Sequence, residues 1–199
     1  MRRIALSLAV LAAAALSACS GGGSVLGFND GTGNPDRVII TVQGPTNIAR
    51  VLPGAGLPLT ATSVRGTQNG VTGQNRFRWS AALTTGLTYT ANALGVQKPC
   101  ANVNITSGGV TQPYLPDMGI YIAIDPTNEA NIEFIPPTII PLPAGAPAGS
   151  TITVNYPYCV VVNAQPISSS GSGSSLTVTP IGPPGSIVVA VVNPQNPLQ

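Results

Sequence analysis

Histidine is missing from this chain of 199 residues, and charge is scarce, with 8 Lys or Arg against 6 Asp or Glu. Without histidine, neither a Ser-His-Asp nor a Cys-His catalytic arrangement can form within the chain, and zinc loses a common nitrogen ligand. So few scattered cations exclude a nucleic-acid surface, because holding that polyanion takes several phosphate-facing Lys or Arg. A basic stripe for anionic lipid is excluded on the same count. Aromatics are also few, with one Trp, three Phe and five Tyr, so large side chains for a core are limited. No amphipathic helical periodicity follows residue 18, and none of the three cysteines belongs to a CxxC pair. A thiolate metal cluster is therefore not expected, and no cofactor motif is present.

What is present begins at the N-terminus. Arg2 and Arg3 precede an apolar run from Ile4 to Ala18, and Leu16-Ser17-Ala18 leads directly into Cys19. A positive head and a run of this length suit the core of an export signal and fall short of a spanning helix. The Leu-Ser-Ala-Cys ending resembles the lipobox of bacterial lipoproteins. That resemblance implies that residues 1–18 are a cleaved signal peptide, that Cys19 receives a diacylglycerol, and that the new amino terminus is often acylated too. Two or more acyl chains anchor stably where one binds only marginally. Ser20, in place of Asp, resembles the signal for outer-membrane delivery in Gram-negative lipoproteins. The expected location is the bacterial cell envelope, with the acyl chains in the membrane.

Loss of residues 1–18 leaves Arg37, Arg50, Arg65, Arg76, Arg78 and Lys98 against Asp30, Asp36, Asp117, Asp125, Glu129 and Glu133, a formally neutral mature chain. Such low charge gives little colloidal repulsion, which suits a tethered protein better than a concentrated soluble one. Residues 19–35 are rich in Gly, Ser and Asn and read as a flexible tether, spanning roughly 20–25 Å on average.

Once Cys19 carries lipid, Cys100 and Cys159 remain. An even pair in an oxidising compartment is read first as a disulfide, with two free buried thiols as the alternative. Such a bridge contributes on the order of 4 kcal/mol in the chain-entropy model.

The 23 Gly and 20 Pro break helices and mark turns between short segments rich in Val, Ile and Thr. Many of these alternate: Val38, Ile40 and Val42; Leu57, Leu59 and Ala61; Phe77 and Trp79 against Arg76 and Arg78; Ile120, Ile122 and Ile124; Ile132 and Phe134; Ile152 and Val154; Val160 and Val162; Leu176 and Val178; Ile187, Val189 and Val191. A period of two is the strand signal, and many short strands between turns indicate an antiparallel sandwich or barrel. Residues 36–199 suffice for one core, and a competing division into two domains falls near 108–118. Pro136–Gly149 reads as extended, and Ser168–Ser175 as a mobile loop between strands.

The segment Val38–Val42, the Leu52-Pro53-Gly54 turn, Leu57-Pro58-Leu59-Thr60-Ala61 and then Phe77-Arg78-Trp79-Ser80 resembles the front half of bacterial immunoglobulin-like domains. The resemblance covers about 45 residues and implies an all-β, antiparallel immunoglobulin-like β-sandwich, with the tryptophan between two sheets. No cysteine precedes Trp79 in the folded region, so a Cys100–Cys159 bridge would not be the inter-sheet disulfide of antibody domains.

Candidate chemistry is thin. Asp125, Glu129 and Glu133 lie within nine residues, yet Asp125-Pro126-Thr127-Asn128-Glu129 reads as a turn and not as two carboxylates fixed across a cleft. Lys98 lacks any motif around a partner serine. The chain is read as non-enzymatic. Asp125, Asn128, Glu129, Asn131 and Glu133 supply hard oxygens at close spacing, a weak calcium candidate without the EF-hand pattern; an ordinary solvated turn is the plainer reading, and no metal is expected. Tyr114, Tyr121, Tyr156 and Tyr158 offer a stacking surface for sugars, against the plainer reading of core and sheet-face residues.

Two function classes follow. The first is a non-enzymatic, lipid-anchored envelope protein whose immunoglobulin-like domain serves adhesion, scaffolding or envelope structure. The alternative is an envelope-anchored binding module for a polysaccharide or peptidoglycan ligand. Exposed aromatics gathered in one groove would favour the alternative, and a smooth Thr/Asn-rich surface the first.

Overall fold

Alternation along the chain becomes strands wherever the apolar set can face a second sheet. The computed structural model describes residues 34–44, 48–65, 68–69, 76–170 and 177–196. Cys19 with its lipobox, the tether as far as residue 33, and residues 171–176 lie outside them. The strands are β1 (Arg37–Val42), β2 (Arg50–Val51), β3 (Leu57–Arg65), β4 (Gln68–Asn69), β5 (Phe77–Leu83), β6 (Thr88–Thr90), β7 (Gln97–Pro99), β8 (Val103–Ser107), β9 (Val110–Pro113), β10 (Ile122–Ile124), β11 (Asn131–Phe134), β12 (Thr151–Val154), β13 (Tyr158–Ser170), β14 (Thr177–Pro180) and β15 (Gly185–Val191). Gly119–Tyr121 makes one short 3-10 turn, so Ile120 leaves the strand expected around it. Among the described residues no helix is long and apolar enough to cross a membrane.

Two five-stranded sheets form a sandwich. One runs β1-β3-β11-β10, with β4 beside β3; the other runs β14-β13-β15-β2, with β5 on the far side of β13. Among the described strands of these two sheets, β2 alone joins in parallel, against β15. The main orders, β1-β3-β11-β10 facing β5-β13-β15, match the two sheets of the immunoglobulin arrangement. Both sheets put their alternating apolar positions inward. Val38, Ile40, Leu59, Ile132 and Phe134 meet Phe77, Trp79, Ala81, Val160, Val162 and Val189 in one buried cluster.

Size complementarity decides how closely the sheets approach. Across the second sheet, Trp79 on β5 stands opposite Ala164 on β13, which stands opposite Gly185 on β15. The small neighbours leave room for the indole ring. A Cβ built on Gly185 would lie 2.5 Å from the Val38 carbonyl oxygen, so glycine is what lets β1 cross β15 at this distance.

Two long connections, residues 84–121 and 135–157, leave the sandwich at the same end and build a lobe there. β8 and β9 of the first and β12 of the second form a three-stranded sheet in the order β12-β8-β9, with β8 in the centre. Gly108 and Gly109 have φ of 57° and 80°, the geometry a two-residue hairpin turn requires between β8 and β9. The stretch 108–118 is thus that turn, strand β9, and a segment tied to β5 by a 2.8 Å bond from Met118 N to the Ala81 carbonyl. Val103 of the lobe belongs to the sandwich's own apolar cluster, with Ile152 and Val154 packed against it. In the proline-rich connection Pro136 and Ile140 are buried. Ser168–Ser170, expected in a loop, instead end β13 and pair with β14.

Candidate functional site

The two ends of the sandwich differ. Arg37 enters β1 opposite Val64, and Pro35 lies against Gly182 at the bend between β14 and β15. The lobe grows from the opposite end, beyond Leu83, Phe134 and Tyr158, where β5 and β11 stop and β13 starts. Its sheet carries no ionic group, because the chain has no charged side chain from 99 to 116 and none after Glu133.

Register sorts the lobe sheet into two faces. Thr151 pairs with Thr106 and Thr106 with Thr111; Thr153 pairs with Asn104 and Asn104 with Pro113. Directly paired residues share a face, so these six form two rungs across three strands. Thr111, Pro113, Thr151 and Thr153 are exposed, and Asn104 and Thr106 are half-buried between them. The Thr106 and Thr111 hydroxyls hydrogen-bond at 2.8 Å. Val103, Ile105, Ile152 and Val154 take the other face, toward the sandwich. Alternating Thr was visible in the sequence, but the register that aligns three separate segments was not.

No family model matches this chain, and neither does any curated protein or solved structure. Its candidate site is defined by geometry alone.

The lobe is held to the sandwich covalently as well as by packing. Cys100 and Cys159 form a disulfide with a Cα–Cα distance of 5.7 Å. Cys159 faces outward from β13 into a separate small cluster, so the bridge lies outside the main sandwich core and does not join the two sheets. There Cys159 and Ala190 leave space for Tyr89 of β6, and a small second cluster forms with Ala91. A cleft of about 350 Å³ lined by Thr88, Tyr89, Gln97 and Ser186 separates this hairpin from β15.

The tyrosines of interest come together, but inward. Tyr158 is fully buried in the main core, and Tyr114, Tyr121 and Tyr156 pack against that core half-buried. The rings of Tyr156 and Tyr158 lie 5.7 Å apart, and the Tyr114 hydroxyl donates to the Pro141 carbonyl at 3.0 Å. Tyr114 through its hydroxyl and Tyr121 through its carbonyl, which accepts from Ile135 N at 2.9 Å, fasten the proline-rich connection. Burial raises the pKa of Tyr158 first, with Tyr156 and Tyr121 adding to it. Its hydroxyl has no hydrogen-bond partner among the described residues.

Of the five hard-oxygen residues, Asp125, Asn131 and Glu133 line one shallow depression with Pro58 and Ile132. Asp125 accepts from Thr127 N at 2.8 Å and Thr127 Oγ1 at 2.6 Å, which holds its carboxyl below the usual range. Asn128 accepts from Ala130 N. Glu129 takes Arg76 through both oxygens, at 3.0 and 3.2 Å. Asn131 accepts from the Thr60 hydroxyl, itself bonded by Gln43. Glu133 lies over Gly56, where an added Cβ would come within 1.7 Å of its Oε1. Among the described residues no three Cys, Asp or Glu side chains are grouped to hold a metal.

Proposed function

We propose that this chain is a lipid-anchored protein of the bacterial cell envelope, held through Cys19, whose immunoglobulin-like sandwich acts by contact, in adhesion or scaffolding, and not by catalysis. One observation carries the reading. The N-terminal segment enters the sandwich at the end opposite the uncharged lobe, so an anchor at Cys19 leaves the Thr/Asn face directed away from the membrane. A tether of roughly 20–25 Å adds clearance from the headgroups. The second reading, a binding module that grips a polysaccharide or peptidoglycan with exposed aromatics, draws less support, because the tyrosines are spent on packing.

The test is fractionation of cells producing the native chain and Cys19→Ser. The native protein should float with outer-membrane vesicles, and the variant should become soluble or stay uncleaved. Unchanged, fully processed membrane protein after the substitution would refute the anchor, and recovery of the native protein only with the inner membrane would refute the outer-membrane assignment.

A further inference from the structure

The Thr/Asn face supports adhesion, and its chemistry narrows the partner. Deepening that reading, we infer that the exposed face of the β12-β8-β9 sheet is a contact surface for a neutral polysaccharide, touched flat and without a groove.

Four observations carry this. First, the face has no charge, and none lies on its strands or the β8–β9 turn, so nothing on it selects an ionic ligand. Second, the Asn104 amide and the hydroxyls of Thr106, Thr111, Thr151 and Thr153 both donate and accept, as sugar hydroxyls do. Third, the hydroxyls are preorganised. Threonine is stiff at χ1, these four lie on paired strands, and Thr106 and Thr111 are already bonded. Ordering them against a ligand therefore costs little side-chain entropy. The exposed ring of Pro113 and the threonine methyls supply apolar contact between the polar groups.

The fourth is size. Three strands at about 4.8 Å spacing and two rungs give a face of roughly 200 Å². A stable protein partner needs about 800 Å² per side. A face this small suits a short stretch of an extended polymer, with weak affinity per copy. Dense display is what converts weak contacts into retention, since linked sites gain effective concentration without new contacts.

The experiment displays the full chain at high density on beads through an N-terminal tag, so it does not depend on lipidation and fails separately from the Cys19 reading. The probes are labelled dextran, xyloglucan and a neutral β-glucan, against polyanionic alginate. At least one neutral polymer should be retained about tenfold over alginate, with no loss between about 0.05 and 0.5 M salt. Thr111→Glu with Thr153→Glu, at exposed positions, should abolish retention while native tryptophan emission persists. Thr111→Ala with Thr153→Ala should weaken it, and Thr41→Glu on the other sheet should not. The inference is overturned by no retention of any neutral probe, by equal retention of alginate, or by retention that survives both paired substitutions. A concentration-dependent dimer blocked by those substitutions, without glycan retention, would give the face to a second copy and overturn it too.

Discussion

The indole Nε1 of Trp79 donates a 2.8 Å hydrogen bond to the carbonyl oxygen of Glu129. The same Glu129 receives the Arg76 guanidinium. One turn between β10 and β11 thus closes over the start of β5, its backbone reading the buried tryptophan and its side chain reading the surface arginine. The ion pair is substantially exposed and contributes little by itself. The buried side of the arrangement matters more, since the ring fills the gap beside Ala164 and Gly185.

Trp79→Ala should therefore cost about 3–5 kcal/mol, out of a total stability of roughly 5–15 kcal/mol. Trp79→Phe should cost less, retaining much of the volume but losing the bond to Glu129. Chemical denaturation followed by circular dichroism gives both values. In the native chain the single tryptophan should emit at short wavelength and resist acrylamide quenching until the fold melts. Freely quenched, red-shifted emission would mean that the ring is exposed.

Reduction of Cys100–Cys159 should lower stability by about 4 kcal/mol in the chain-entropy picture, the loop spanning 59 residues. Because the bridge lies outside the sandwich, its loss should act first on the β6–β7 hairpin. Hydrogen exchange at Tyr89–Lys98 should accelerate before that at Val160 or Val189. Uniform acceleration would contradict this order, and two alkylatable thiols in the native protein would contradict the bridge itself.

Tyr158 should make the chain alkali-sensitive. Its pKa is raised by burial above the ordinary phenol value of 10.0, so above that pH the folded state holds a proton that the unfolded state has lost. Stability from this group is fully present below pH 10 and falls as pH rises beyond it. Tyr158→Phe removes a buried hydroxyl with no partner among the described residues, and should stabilise the protein by up to about 1 kcal/mol and flatten its alkaline decline. Urea melts between neutral pH and about pH 11 test both points. A large destabilisation by Phe would show that the hydroxyl is satisfied in solution.

Some of the fold was legible and some was not, for identifiable reasons. Val38–Val42, Leu57–Ala61 and Phe77–Leu83 alternate so regularly that their inward faces follow from the period of two. The tryptophan's place follows because a chain so poor in aromatics has little else of that size for the gap between sheets. The even cysteine pair pointed to the disulfide for a similar reason, chemistry with few options. Ser168–Ser170 misled because their composition is that of a loop, while pairing with β14 through backbone groups ignores side-chain character. Ile120 misled because a three-residue apolar alternation fits a turn as well as a strand.

Composition and periodicity by themselves determined the all-β class, the inward residues of the main strands, the want of histidine-based chemistry, and the neutrality of everything after Glu133. Tertiary structure alone decided which segments became neighbours. It set the tyrosines against the core, tied Asp125, Asn128, Glu129 and Asn131 into hydrogen bonds within the chain, and aligned Thr106, Thr111 and Thr151 from two distant connections on one face. The physical reason is that periodicity is local, repeating over a few residues, whereas register between strands far apart in sequence is chosen by how both sheets bury their apolar sides together.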